Sequence, residues 1–490
     1  MSAANAEAGK ETLLREFTLR NTFSLAFAFI SPIIALYAIF ALALGASGPT
    51  MWFAFPIVLL GQLLVALCFG ELSGRWPLAG GLYQWGRILR GPVYGWISGW
   101  AYIWTLIALV IATAYTAAPF LATAFGIDEP SNTTRLMLAM VFLAVATAAN
   151  VVGRKPLAIF VFISIACELI GSVVIGTLLL LFHRENSLSD LTSGFGQGGT
   201  GFAGFLVAVA LVGWAFIGFE SASDVAEEVQ EPRKNVPKAL VFSLVLVASI
   251  VMYTGLALIL AIPDLGTATQ GDPIADTLSH AFGSWIVTPA FLVVSTGFAA
   301  GLVAVQAAVS RVVFALSRDG VLPGSGSLKL LSGAECLPIN AILATSAISA
   351  GMLIVAVEVK FYDTLIGLAT VGFYISFLLP LVALLIHRLR DGFAVAPNGE
   401  EVGIDLGRFG TAINALAVAW LTFEIINIAW PRDLGLAWYI EWGCIISAAV
   451  IAVLGAATLA WLQSKGRLQA PGTAELEEHA AQAASPLAAG

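Results

Sequence analysis

Apolar residues run nearly unbroken for about twenty positions at a time along this chain, and polar residues gather in short gaps between the runs. A helix needs about 20 consecutive apolar residues to cross the hydrocarbon core of a bilayer. On that scale the chain predicts twelve crossing helices, at approximately 22–45, 51–70, 93–120, 135–152, 156–182, 202–223, 237–262, 285–310, 339–357, 362–387, 409–430 and 437–462. Barrel strands would alternate apolar and polar over about ten residues, and no stretch does so. The fold class predicted is an all-α integral membrane protein with polar tails at 1–20 and about 463–490.

Composition sharpens this picture. Of 490 residues 59% are hydrophobic and 11% charged, against about 25% charged in a soluble domain that must wet its surface. A disordered chain and a nucleic-acid binder are excluded on the same grounds, and the net charge of −8 gives no general affinity for polyanions. The first twenty residues hold no apolar run, so no cleavable signal is expected and the first span targets the chain itself. With the N-terminus placed in the cytoplasm, 19 of the 23 Lys and Arg residues fall in connections on that side. This bias predicts both termini inside, in a cell (plasma or inner) membrane. Trp430, Trp438, Tyr439 and Trp442 gather at the predicted outer ends of spans 11 and 12 as interfacial anchors. Cys68, Cys167, Cys336 and Cys444 stand far apart and read as buried small residues, so no metal and no cofactor is expected. Gly194 to Gly199 formally match a nucleotide-binding glycine pattern, but without a preceding strand they read as linker.

Candidate chemistry lies where the helices are interrupted. Span 1 carries Ser31-Pro32-Ile33-Ile34-Ala35 near its middle, and Pro32 cannot donate to the carbonyl of Ala28. Span 6 carries Gly213-Trp214-Ala215-Phe216-Ile217-Gly218-Phe219-Glu220 at the corresponding place in the second half. Broken helices in matching positions of two halves point to a substrate site at the interface of repeats, here repeats of five spans. Span 1 would aim the positive end of its outer half at the midplane and suit a carboxylate, while span 6 would offer carbonyls to a cation. A small zwitterion answers both ends. Substrate contact is therefore expected along Ser31, Ile33, Ile34 and Ala35 and along Trp214, Phe216, Ile217 and Gly218. Glu220 stands just past the second break, able to cap it or to select substrate.

Four separated motifs carry a family resemblance. They are Gly70-Glu71-Leu-Ser-Gly-Arg75-Trp-Pro77-Leu-Ala-Gly80-Gly81-Leu-Tyr83; Gly218 through Glu228 to Lys238; Ser310-Arg311 with Ser317 to Pro323; and Ala369 to Pro380 followed by Leu406 to Gly410. Over about residues 20–460 the chain resembles the amino acid–polyamine–organocation transporter superfamily, most closely its amino acid, choline and aminobutyrate permeases. The resemblance implies a leucine-transporter-like fold of two inverted five-helix repeats plus two peripheral helices. On this sequence that gives a ten-helix core at 21–388 (repeats about 21–182 and 202–388) and peripheral helices with their loop at 389–462. It also implies alternating access around the breaks, with Tyr102 and Tyr374 as lining residues. One departure stands out: many relatives carry a Ser-Gly pair where this chain has Ile34-Ala35, which keeps the backbone donors but lacks the hydroxyl and glycine.

The function expected is a permease for a small amino acid or related amine, with a proton or a sodium ion as coupling partner, or pure exchange. Glu168 sits mid-span with Ser164, Gly171 and Ser172 on one small, polar face, so it should look into the bundle and could carry the proton. For sodium, Ser295 and Thr296 are the candidate hydroxyls. Glu71, Arg75, Asp224, Glu227, Glu228 and Arg311 are expected as solvated or paired charges at the cytoplasmic mouth, and Glu424 with Asn427 as a packing or oligomer contact on span 11. A membrane enzyme would need convergent nucleophiles or ligands at one depth, and a sensor would usually append a signalling domain; neither is found.

Overall fold

The structure, a computed structural model, describes residues 17–127, 129–195, 201–333, 335–358, 365–390, 392, 403–432 and 437–468. Most of the two predicted tails and of the glycine stretch 194–199 lies outside these residues. Among the described residues twelve helical segments are long and apolar enough to cross a membrane, and β-structure is confined to two isolated backbone bridges.

Span 1 runs in three pieces, Leu19–Ile30, Pro32–Tyr37 and Phe40–Ser47. Span 2 covers Ala54–Arg75, span 3 Pro92–Ala124, span 4 Asn132–Val152 and span 5 Arg154–Phe182. Span 6 is again broken: Gly201–Val212, a 3₁₀ turn Gly213–Phe216, then only Ser221–Asp224. Spans 7 to 12 are Pro232–Ala261, Val287–Arg318, Ile339–Glu358, Leu365–Arg390, Gly410–Ala429 and Gly443–Ser464. Twelve crossings put Phe17 and Leu468 on one face, called here the terminal face, with the far face opposite.

Apolar burial cannot by itself drive helices together in lipid, so close approach and buried polar pairs hold the bundle. Span 3 packs along spans 8 and 10, and span 7 along spans 1 and 2. Asn150 of span 4 donates to the carbonyl of Val303 on span 8 at 3.0 Å. Gln306 of span 8 donates to the hydroxyls of Thr345 and Ser346 on span 9 at 3.1 and 2.8 Å. Spans 11 and 12 lie at the edge and bury few residues. Each is nevertheless keyed to the core by an indole on a glycine. Trp420 of span 11 lies where a Cβ on Gly61 of span 2 would fall, and Trp100 of span 3 lies 2.7 Å from such a position on Gly455 of span 12. Glu424 and Asn427 face inward rather than toward a partner, since Glu424 is fully buried and Asn427 donates to the carbonyl of Leu206 on span 6.

The motif charges are paired on the terminal face. Glu71 of span 2 bonds Arg388 of span 10, and the pair is 2% and 3% exposed. Arg311 of span 8 meets Glu228 at 3.2 Å, equally buried. Arg318 holds Glu227 through two bonds of 2.8 and 3.0 Å, and Glu227 in turn accepts the N–H of Ala79. Arg87, on the helix Gly81–Arg90, bonds Asp319 at 2.6 Å beside the Tyr83 hydroxyl at 2.8 Å. Burial and the Asp319 charge push the Tyr83 pKa well above its ordinary value, so the hydroxyl stays a donor. Phe17 exchanges backbone bonds with Glu228 and Gln230, both 2.8 Å, so the start of the described chain lies across the connection after span 6. Of the expected mouth charges, Glu71, Glu227, Glu228 and Arg311 are thus paired, joining span 2 to span 10 and the connection after span 6 to span 8.

Breaking a buried pair from one side leaves the other charge stranded, at about 3–5 kcal/mol. Arg388→Ala is expected to cost about 3 kcal/mol, the low end because Arg75 stays near Glu71. Thermal unfolding in detergent should show that loss, and the double change Glu71→Leu with Arg388→Met should recover most of it. A single variant as stable as its parent would show that the pair contributes nothing.

Candidate functional site

The two breaks face each other at the middle of the bundle. Ser31 takes φ 49°, ψ 107°, outside the helical region, and Pro32 opens the next helix at its first position, where a missing N–H costs nothing. The Ser31 side chain accepts the N–H of Ile34 at 3.1 Å as an N-cap. In span 6, Ile217 is extended and Gly218 turns with φ 102°, a conformation that favours glycine. A Cβ on Gly218 would lie 2.6 Å from Cε1 of the Phe29 ring. Span 8 approaches span 1 just as closely: Cβ atoms on Gly297 and Gly301 would run into Ile33 and Ile34. Ile33 is wedged between Gly297 and Gly171 of span 5.

Glu168 closes the first break. Fully buried, its carboxylate accepts the Ser31 hydroxyl on one oxygen and the Ile33 N–H at 2.7 Å on the other. It therefore occupies the donors that the sequence offers to a substrate carboxylate. The turn that presents it is unusual. Span 5 passes from α-helix at Glu168 into a π-helical stretch Leu169–Val174, a wide turn often found at functional sites. The wide turn leaves the Gly171 carbonyl to accept the Tyr37 hydroxyl at 2.7 Å. Across the site, the Trp214 indole N–H donates to the Ile34 carbonyl at 3.2 Å, so the two breaks are joined directly. Gly218 N–H donates to Glu220 at 3.0 Å.

The remaining sequence candidates divide. Ala35, Phe216 and Ile217 are buried at the breaks. Tyr374 of span 10 is fully buried with its hydroxyl 3.1 Å from where a Cβ on Gly213 would stand. Tyr102 of span 3 is also fully buried, but its hydroxyl is spent on Glu220 and Asp224. Asp224, expected as a mouth charge, lies inside with no exposure at all. Ser295 is buried, whereas Thr296 turns its hydroxyl back to its own helix at Leu292. A separate groove of about 710 Å³ opens between the ends of spans 1, 6 and 11, lined by Gly45, Ala203, Val207, Ile426 and Trp430 among others. No break residue lines it.

Twelve candidate spans, two of them broken and bonded to each other at the breaks, make a multi-pass membrane protein, and the family it falls in is one of secondary transporters rather than enzymes. The sequence pattern of the family described as amino acid permease matches residues 21–454. The chain belongs to that family. It is 27% identical to an uncharacterised amino-acid permease of Schizosaccharomyces pombe over 86% of this chain and 79% of that one. It is 26% identical to the branched-chain amino acid permease BcaP of Bacillus subtilis, covering 87% and 90%. Against the vacuolar cationic amino acid transporter 2 of Arabidopsis thaliana the identity is 28%, over 70% and 55%.

Two substitutions test the breaks. Gly218→Ala forces a side chain into a positive φ and against Phe29, a strain of about 1–3 kcal/mol. It is expected to abolish substrate binding while the protein is still made and inserted; binding at the parental affinity would refute this placement of the site. Pro32→Ala supplies an N–H opposite the Ala28 carbonyl and lets span 1 run on as helix. It should slow transport more than it lowers the melting temperature, and an unchanged rate would show that the opening does not depend on the proline.

Proposed function

We propose that this protein moves a small amino acid, or a related amine or zwitterion, by alternating access, with a proton as coupling ion. One observation carries the reading: the polar groups freed by the breaks are already held by charged and polar side chains. Glu168 sits on the donors of span 1, and Trp214 on the carbonyl of Ile34. A solute bearing both a carboxylate and an ammonium can replace such partners group for group. The names of the branched-chain and cationic amino acid relatives support an amino acid as that solute. The ten-helix core at 21–388 would hold the site at the interface of its two repeats. The gathering of Lys and Arg on the terminal face supports cytoplasmic termini in a cell membrane.

Purified protein in proteoliposomes tests both halves of the proposal. Labelled amino acids should exchange across the vesicle wall. An inward proton gradient of about 100 mV should drive roughly fifty-fold accumulation per proton, from about 2.3 kcal/mol. Uptake driven by sodium and indifferent to pH would move the coupling site to hydroxyls such as Ser295.

Glu168 has a role of its own in this scheme. Both of its oxygens are engaged as acceptors, so we assign it to holding span 1 in its broken form. An amide keeps one acceptor and turns the other into a donor facing Ser31 or Ile33. Glu168→Gln should therefore slow driven uptake and exchange together, by about tenfold, the worth of one hydrogen bond to a charged group. Loss of driven uptake with exchange intact would instead make Glu168 the carrier of the coupling proton.

A further inference from the structure

Beneath the span 6 break, three oxygen-bearing side chains meet out of reach of solvent. The Tyr102 hydroxyl of span 3 lies 3.0 Å from Glu220 and 2.7 Å from Asp224. None of the three residues has any exposed surface. The second oxygen of Glu220 accepts the Gly218 N–H at 3.0 Å. The second oxygen of Asp224 and the Ser221 hydroxyl are buried without a hydrogen-bond partner.

Counting hydrogens shows what this arrangement requires. A phenol brings one proton, and an ionised carboxylate brings none. With both acids ionised, only one of the two oxygen–oxygen contacts can contain a hydrogen. The other would set two acceptors face to face in a dry interior, where an unmade bond is costly. One further proton resolves the conflict. A carboxylic O–H on either acid donates to the phenol oxygen, and the phenol donates to the other acid. Three groups then share two hydrogens and one negative charge.

Among the described residues no basic side chain bonds Glu220, Asp224 or Tyr102. Span 8 presents Arg311, already bonded to Glu228, and Arg318, bonded to Glu227. The near half of span 1 presents Arg20 at its exposed start, and span 7 presents Arg233, Lys234 and Lys238 at its terminal-face end. Span 10 turns the Phe373 ring to Tyr102.

We propose that Glu220, Tyr102 and Asp224 form a site for one exchangeable proton, and that this is the proton carried with substrate. The proposal rests on the proton-coupled reading above and deepens it by naming the site. The link to substrate is short. Glu220 holds the N–H of Gly218 inside the break, so departure of the proton, which sets two carboxylates against one phenol, acts on the backbone that substrate would touch.

Two measurements on full-length protein test the site separately from the coupling. Isotope-edited infrared difference spectra should contain a protonated-carboxyl carbonyl band that is missing in Asp224→Asn and displaced in Tyr102→Phe, which keeps both acids. If neither variant changes any such band, the site is refuted. In proteoliposomes, Asp224→Asn should bring accumulation under a proton gradient of about 100 mV from roughly fifty-fold down to about one. Driven uptake should fall by more than exchange does. Accumulation at the parental level in Asp224→Asn and in Tyr102→Phe would overturn the assignment of the coupling proton to this site. A band present in wild type and absent in Asp224→Asn, with uptake indifferent to pH in the wild type, would uphold the site and overturn the coupled reading on which its role depends.

Discussion

A helix interrupted inside a bilayer has no water to satisfy the backbone groups it frees, so each interruption needs partners from within the protein. The carboxylate of Glu168, held by Ser31 and Ile33, is the interaction that meets this constraint in span 1. Much of the surrounding structure serves its placement. A π-helical turn begins directly after Glu168, and Gly171 and Gly297 make room for Ile33 beside it. Span 6 supplies Trp214 to the Ile34 carbonyl of the opposite break and satisfies its own Gly218 N–H with Glu220. The two halves of the site are thereby tied to each other as well as to the bundle.

On the terminal face the same economy of partners recurs with full charges. Four acids of the motif segments are matched by four arginines across spans and connections, and two of these pairs, Glu71–Arg388 and Glu228–Arg311, are buried where an exposed pair would contribute little. These ties join span 2 to span 10 and the connection after span 6 to span 8.

Much of this was legible in the sequence, for reasons that can be named. The spans declare themselves because a run of apolar residues long enough to cross has no other reading. Pro32 marks the first break by its missing donor, and Gly213 and Gly218 mark the second. Ser164, Gly171 and Ser172 predicted that Glu168 faces inward, as it does. Its partners were not legible, because the bond joins residues 137 positions apart. The π-helical turn leaves no mark in composition. Asp224 was expected with the surface charges because it neighbours Glu227 and Glu228. Only the shortness of the helix Ser221–Asp224 turns it to Tyr102 instead. Tyr102 was expected as a lining residue from family likeness alone, and the likeness did not say that two acids share its hydroxyl.

The two glycine-seated indoles at the edge of the bundle have a mechanical meaning. Trp420 fixes span 11 to span 2, Trp100 fixes span 12 to span 3, and spans 11 and 12 follow each other in the chain. The peripheral pair therefore bridges span 2 and span 3 at its two indoles while both of its helices also pack on span 10. Filling either glycine would therefore loosen the contact between the bundle and a helix that buries few residues of its own.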